Sequence, residues 1–224
     1  MPSVKIPRKS TDFDMTPFVD VAFLILSFFM MATKFKPPEP VEITTPNSVS
    51  ADALKEGDAI LITMDKDNKV YLTFALGSAE DQGIFDDIIQ NVNKEKNLNL
   101  TNAEMGNFRK TYFIGVPFTQ LKSLLDMPAD QQRNLKQPGI PLDTTGGELT
   151  YWVQYAKAAF AGHQLAYMIK GDDNAKYPTF EGVIAALKRN EQFKYNLITS
   201  PEAAPPGTEL YKQRQNALKN SSTK

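Results

Sequence analysis

The stretch MTPFVDVAFLILSFFMMATKF, residues 15–35, is an almost unbroken apolar run with one carboxylate, Asp20, inside it. As a helix, the part from Pro17 onward would be about 28 Å long at 1.5 Å per residue, which is enough to cross a bilayer core. Thr16 is a suitable cap, Pro17 fits a first turn, and the lysines and prolines of residues 34–40 indicate a helix end. The sequence therefore predicts one transmembrane helix at residues 15–35.

Asp20 is costly for a helix that serves only as an anchor. The apolar side chains of the segment favour insertion by roughly 3–5 kcal/mol, whereas an aspartate at the centre of a span costs about 2.5–3.5 kcal/mol. Thr16, Asp20 and Ser27 follow one another at spacings of four and seven residues, which places them on one helical face. Two interpretations are open: Asp20 has a function inside the membrane, or it reaches water at the nearby interface.

The run MTPFVDV at residues 15–21 resembles the signature that opens the single span of the ExbD/TolR family. Members of that family are small subunits of proton-driven motors in bacterial inner membranes. The resemblance implies that Asp20 is the protonatable group and that its helix sits inside a ring of multi-span ExbB/TolQ-like subunits. It also implies a TonB-like periplasmic partner, a homodimer and contact with the lipid bilayer. Thr16 and Ser27 are candidate hydrogen-bond donors on the same face.

The composition excludes several other functions. The net charge of −1 and the pI of about 5.9 give no basic field for nucleic acid, and the 42% hydrophobic content is enough for a folded core. There is no cysteine, and His163 is the only histidine. A metal site or a Ser-His-Asp site is therefore not indicated, and we expect no enzyme activity and no cofactor.

The order of segments predicts a single-pass inner-membrane protein. Three basic residues precede the span and two follow it closely, which favours a cytoplasmic N-terminal segment at residues 1–14. The Pro- and Thr-containing residues 36–56 predict an extended linker, residues 57–200 a periplasmic α+β domain, and residues 201–224 a mobile tail.

The linker has one segment with strand character, residues 41–44 (VEIT). Its composition otherwise fits a plain spacer. The family resemblance implies instead that this region pairs with other chains. Both interpretations are open at this point.

The periplasmic domain begins with a predicted hairpin. Residues 59–64 (AILITM) and 69–74 (KVYLTF) read as strands, and the residues between them favour a tight turn. The turn is not a calcium loop, because Val70 stands where glycine is needed and Leu76 where glutamate is needed. Ser78 and Asp81 then predict the start of a helix. Its apolar face comprises Ile84, Phe85, Ile88, Ile89 and Val92.

The domain ends with a predicted β-α-β unit. Its strands are residues 164–170 and 195–199, and its helix is residues 178–189. The unit resembles the end of the ExbD/TolR periplasmic domain, and Asp172 and Tyr177 fit that pattern. Turn formation and helix capping are the alternative roles of these two residues. We expect the hairpin and this unit to share one sheet.

Residues 97–162 are predicted to be an insertion, because short family members lack a segment of this size. Helical patterns occur at residues 101–110, 118–126 and 148–161. Three aromatic residues in the last of these patterns indicate either a binding surface or part of the core. They are Tyr151, Trp152 and Tyr155.

Three classes of function are compatible with the sequence. The first is a motor subunit that couples proton flow at Asp20 to work on a TonB-like partner. The second is a TolR-like or MotB-like module that anchors the membrane to the cell wall or envelope. The third, a tethered hydrolase, lacks any recognisable catalytic constellation.

Overall fold

The computed structural model describes residues 14–32, 41–49, 57–77, 83–111, 113–143, 147–202, 205–206, 208–209 and 211–212. The chain divides into two compact units, Met1–Pro37 and Pro38–Lys224. The predicted N-terminal segment, apart from Asp14, and most of the predicted tail lie outside the described residues.

The described helix of the first unit is α1 (Thr16–Ala32), with 17 residues. None of its residues is buried. Its exposed large apolar side chains include Phe18, Phe23, Leu24, Ile25, Leu26, Phe28 and Phe29. Across the described ranges, no helix has both the length and the apolar character required to cross a membrane. Residues 33–35 of the predicted span lie outside those ranges.

The second unit is a mixed α+β fold. Its strands are β1 (Asn47–Ser48), β2 (Ala59–Met64), β3 (Val70–Ala75), β4 (Ala166–Gly171), β5 (Asn196–Ile198) and β6 (Ser200–Pro201). Its helices are α2 (Gly83–Lys96), α3 (Asn102–Phe108), α4 (Phe118–Leu125), α5 (Ala129–Asn134), α6 (Gly147–Ala159) and α7 (Tyr177–Arg189). The larger sheet has the order β3-β2-β4-β5, and β1 pairs with β6 in parallel.

The first hairpin and the last β-α-β unit share this larger sheet, as the sequence predicted. β2 is antiparallel to β3 and parallel to β4, and β4 is parallel to β5. Alternate residues of β2, starting at Ile60, are buried against the helices, because successive side chains of a strand point to opposite faces. The apolar face predicted for α2 is confirmed at Ile84, Ile88, Ile89 and Val92, which are all buried.

The predicted insertion forms the three helices expected from its sequence, α3, α4 and α6, and also the short α5. Helix α3 starts with a capping box between Thr101 and Glu104. Helix α5 was not predicted, because its polar sequence ADQQRN has no apolar periodicity. Helix α6 contacts both α2 and α7, so the insertion is part of the main core.

The insertion also covers one edge of the sheet. The backbones of Leu72 and Ile114 exchange two hydrogen bonds of 2.8 Å, and the Ile140 N–H donates to the Val70 carbonyl at 2.8 Å. An uncovered edge strand can pair with foreign chains. By pairing with Val70 and Leu72, residues of the predicted insertion cover part of the outer edge of β3 and reduce that risk there.

One strand prediction in the linker is wrong. Residues 41–44 do not form a strand, and the short strand β1 lies further along the chain. The backbone of Thr44 instead bonds to Asp172 and Asp173, after the end of β4. Local strand propensity at residues 41–44 is overridden by this tertiary contact.

An aromatic cluster joins the insertion to the rest of the core. Trp152 of α6 is fully buried, and its ring stacks on Phe118 and Phe108 at centroid distances of 5.1 and 6.2 Å. Phe74 of β3 contacts the same indole at 6.3 Å. Trp152 therefore contacts both the sheet and the helices of the predicted insertion.

Replacing Trp152 with alanine should lower the free energy of unfolding by about 3–5 kcal/mol, the usual cost of removing a large buried aromatic. Because the cluster links both regions, sheet and insertion should lose hydrogen-exchange protection together as urea increases. Tyr177→Ala is the control, since that side chain is 71% exposed and its removal should change stability little. Separate unfolding of the insertion would contradict this prediction.

Candidate functional site

The polar residues of α1 share one helical face. At about 100° per residue, Thr16 and Ser27 fall within roughly 40° of Asp20 around the helix axis. Asp20 is the one ionisable side chain among the residues of α1. The opposite face carries Phe18 and Phe29. The helix therefore presents a carboxylate on a surface that is otherwise mostly apolar.

The hydroxyl groups of this face already donate within the chain. Thr16 donates its N–H and its hydroxyl to Asp14 Oδ1, at 3.0 and 2.5 Å. Ser27 donates to the Leu24 carbonyl at 2.9 Å. Asp14, and not Thr16 as predicted, thus caps the start of α1, and the bonds from Thr16 lower the pKa of Asp14.

The surface of α1 is apolar apart from this polar face. The exposed phenylalanine and leucine side chains of α1 favour an apolar environment. A charged carboxylate is expensive in such an environment.

The described part of the linker is attached to the end of β4. The Thr44 N–H donates to Asp172 Oδ2 at 3.0 Å, and the Asp173 N–H donates back to the Thr44 carbonyl at 2.9 Å. The hydroxyls of Thr45 and Ser200 are 2.6 Å apart. These contacts show that residues 41–49 are more than a plain spacer.

Asp172 forms a turn, which is the alternative role that the sequence analysis gave for it. Its Oδ1 accepts the Asn174 N–H at 3.0 Å, while its other oxygen holds Thr44. These bonds to Asn174 and Thr44 lower the pKa of Asp172. Tyr177, the second residue of the family-like pattern, begins α7 and has an exposed ring.

The cap of α7 comes from a distant turn. Asn68 Oδ1 accepts the Lys176 N–H at 2.7 Å and the Thr179 hydroxyl at 3.2 Å. Asn68 has a φ of 63°, a left-handed conformation that asparagine tolerates better than most residues. The sequence marked this asparagine only as a turn residue, since nothing local points to α7.

His163 has a structural position. Its Nδ1 lies 2.8 Å from Asp58 Oδ2, and Asp58 Oδ1 accepts the Gly77 N–H at 2.8 Å. The pair thereby connects the segment before β4 with both ends of the first hairpin. Over the described ranges, no three His, Asp or Glu side chains come close enough together to hold a metal ion.

The aromatic residues of α6 belong mainly to the core. Trp152 and Tyr155 are buried, so the alternative of a binding surface is wrong for them. Tyr151 is 44% exposed, and the Lys96 ammonium lies 3.3 Å from the centre of its ring. Desolvation by burial raises the pKa of Tyr155.

The pattern of the biopolymer transport protein ExbD/TolR family matches residues 7–202. The chain belongs to the ExbD/TolR family. The match includes α1, the sheet and the inserted helices. No curated protein and no solved structure matches the chain.

Membership in the ExbD/TolR family has general consequences for function. It identifies the chain as a biopolymer-transport motor subunit in the broad sense. It also implies association with partners of the ExbB/TolQ and TonB/Pal types in general, and members are typically anchored in a membrane.

Asp172→Ala should release the described linker segment from the domain. The Thr44 N–H loses its acceptor, so hydrogen exchange at Thr44 and at the Asp173 amide should become faster. Asp173→Ala is the matched control, because the bond from Asp173 to Thr44 uses only backbone atoms. Unchanged protection in the Asp172 variant would contradict the proposed attachment.

The same attachment should depend on pH. Because the folded state lowers the pKa of Asp172, its stabilising contribution is present above the ordinary value of about 3.9 and is lost as pH falls further. Protection of Thr44 should therefore decline below about pH 4 in the natural chain. In Asp172→Ala, protection should be low across the whole range.

Proposed function

We propose that this ExbD/TolR chain is an ExbD-like subunit of an inner-membrane motor driven by protons. In this proposal, residues 15–35 cross the membrane inside a ring of ExbB/TolQ-like subunits. Residues 1–14 are cytoplasmic, and the domain after the linker is periplasmic. Proton flow through Asp20 is converted into movement that acts on a TonB-like periplasmic partner.

The observation that carries the proposal is the position of Asp20 on α1. It is the ionisable group of a helix whose large side chains are apolar and exposed. Exposed apolar surface of this kind needs lipid or a protein partner to cover it. A carboxylate in such a helix makes its insertion into the membrane less favourable. We therefore assign Asp20 a function rather than a role in anchoring.

The energy available from one proton is comparable with the cost of burying a charged aspartate in a membrane span. One elementary charge that crosses the membrane potential yields about 2.3 kcal/mol per 100 mV. A charged aspartate buried in a span costs about 2.5–3.5 kcal/mol. Loading and unloading one proton at Asp20 can therefore alternate α1 between two environments and drive a mechanical cycle.

The proposal includes a homodimer of the periplasmic domain. Strand β5 forms the edge of the larger sheet opposite the covered edge of β3. Its Leu197 is 54% exposed, and Phe193 just before it is 69% exposed. An edge strand with exposed apolar side chains favours pairing with a second copy.

The proposed role is not enzymatic. It requires proton binding by a carboxylate, partner contacts and movement, and it needs no cofactor. The described acidic residues Asp14 and Asp172 have lowered pKa values because of structural hydrogen bonds. These shifts have a structural cause and give no support to a catalytic role.

Asp20→Asn should abolish proton-dependent function while leaving membrane insertion and complex assembly normal. Asparagine keeps the size and polarity of aspartate but cannot titrate. Ser27→Ala is the control on the same face, since the Ser27 hydroxyl donates to its own helix. Function should be measured as energised transport in cells, and assembly by co-purification with the ring partner. A fully active Asp20→Asn variant would reduce Asp20 to an anchor residue and would contradict the motor proposal.

The orientation can be tested separately. A reporter that is active only in the periplasm should be active when fused after Lys224, because the chain crosses the membrane once. The same reporter fused before Met1 should be inactive. The reverse pattern would contradict the proposed topology. The role of Asp20 is tested separately by Asp20→Asn.

A further inference from the structure

A groove of about 850 Å³ is formed by four segments of the second unit. They are residues 67–69 of the turn between β2 and β3, Pro117, residues 138–143, and residues 178–182 at the start of α7. We call this feature the proline groove, because four prolines line it. All of its described lining residues follow residue 37, so it is separate from the polar face of α1.

The shape of the proline groove is fixed by close packing around it. The Ile140 N–H donates to the Val70 carbonyl at 2.8 Å. Gly139 has a φ of +96°, and a Cβ added there would lie 2.9 Å from the Cβ of Lys69. The side chain of Asn68 holds the turn against the start of α7. Because the groove is preformed, little binding free energy is lost in ordering it.

The proline groove presents apolar surface that a ligand can reach. Pro138, Pro141 and Pro178 are exposed, and Pro117 and Leu142 are half-buried. Covering such apolar surface is favourable by about 25 cal/mol for each Å² that is removed from water. A ligand with aliphatic carbon is therefore favoured over one that is polar throughout.

The charged residues that line the proline groove are mostly acidic. Asp67, Asp143 and Glu181 are exposed, whereas the single basic residue among the described lining residues, Lys69, is half-buried. Asp143 accepts the Gly147 N–H at 2.8 Å, so part of its capacity is used within the chain. The whole chain has a net charge of only −1, and the acidic excess at the groove is therefore local.

Apolar rings beside carboxylates suit lysine and arginine side chains. Both have aliphatic stems that pack on apolar surface while the charged end stays in water or meets a carboxylate. Nucleic acids and acidic lipid head groups are repelled by the same carboxylates. The volume of the groove lies within the range of about 300–1,000 Å³ that is usual for binding clefts, which suits a short segment and not a folded domain.

We propose that the proline groove binds a short, extended segment of a partner protein that carries two or more lysine or arginine residues. The basic side chains contact Asp67 and Glu181, and their stems and the apolar residues between them pack on the proline rings. This site goes beyond the proposed motor function, because none of its contacts involves Asp20.

Direct binding to the full-length chain in detergent tests this proposal. The probe is a fluorescent hexapeptide of alternating lysine and valine, capped at both ends, and its affinity is measured by fluorescence anisotropy. A hexapeptide of alternating glutamate and valine is the charge-reversed control and should not bind. A hexapeptide of alternating lysine and glycine keeps the charge but lacks the apolar side chains, so its affinity should be about 3- to 10-fold lower.

The contribution of the carboxylates is measured with the lysine–valine probe. Glu181→Lys combined with Asp67→Asn should weaken binding by about 10-fold. Asp87→Lys combined with Asp126→Asn is the matched control, because both residues are exposed, lie outside the groove and give the same change in net charge. The control should change the affinity little. Asp20→Asn should bind the probe as the natural chain does, which separates this site from the motor function.

Four outcomes would overturn the proposal. Equal losses of affinity in the Glu181 and Asp87 double variants would show that the probe responds to net charge alone. Equal affinities for the lysine–valine and lysine–glycine peptides would show that the proline rings are not used. Loss of binding in Asp20→Asn would place the probe on α1. Binding that weakens as the protein concentration rises would show that a second copy of the chain occupies the groove.

Discussion

Parallel pairing between β2 and β4 is the contact on which the rest of the second unit depends. Six residues of each strand pair in register, from Ala59 opposite Ala166 to Met64 opposite Gly171. The two strands are separated by about a hundred residues of chain, so their pairing has a cost in loop-closure entropy. The buried face that they share with the helices supplies the compensating hydrophobic free energy.

Residues 97–162, which the sequence predicts to be an insertion, contribute to this same core. Trp152 reaches the aromatic residues of the hairpin and of α3, and the backbone around Ile114 and Ile140 completes the edge of β3. A segment added only to the surface would leave both the edge and the aromatic cluster incomplete. A groove forms where Pro117, Pro138 and Pro141 approach the start of α7.

The described linker residues belong to the folded unit. The bonds of Thr44 and Thr45 fix them to the end of the sheet, next to β6. The strand propensity of residues 41–44 is not expressed, because the backbone of Thr44 is bonded to Asp172 and Asp173 instead.

The sequence by itself determined the elements whose signals are local. Apolar periodicity marked α2, α4, α6 and α7, alternation and turn residues marked the hairpin, and the MTPFVDV run indicated the family. Such signals are local because side-chain periodicity and capping depend on neighbours within a few residues. The tertiary structure alone decided the attachment of Thr44 to Asp172, the capping of α7 by Asn68 and the pairing of Ile114 with β3. Each of these joins residues far apart in the chain, and their meeting depends on strand register and helix packing, which no local pattern specifies.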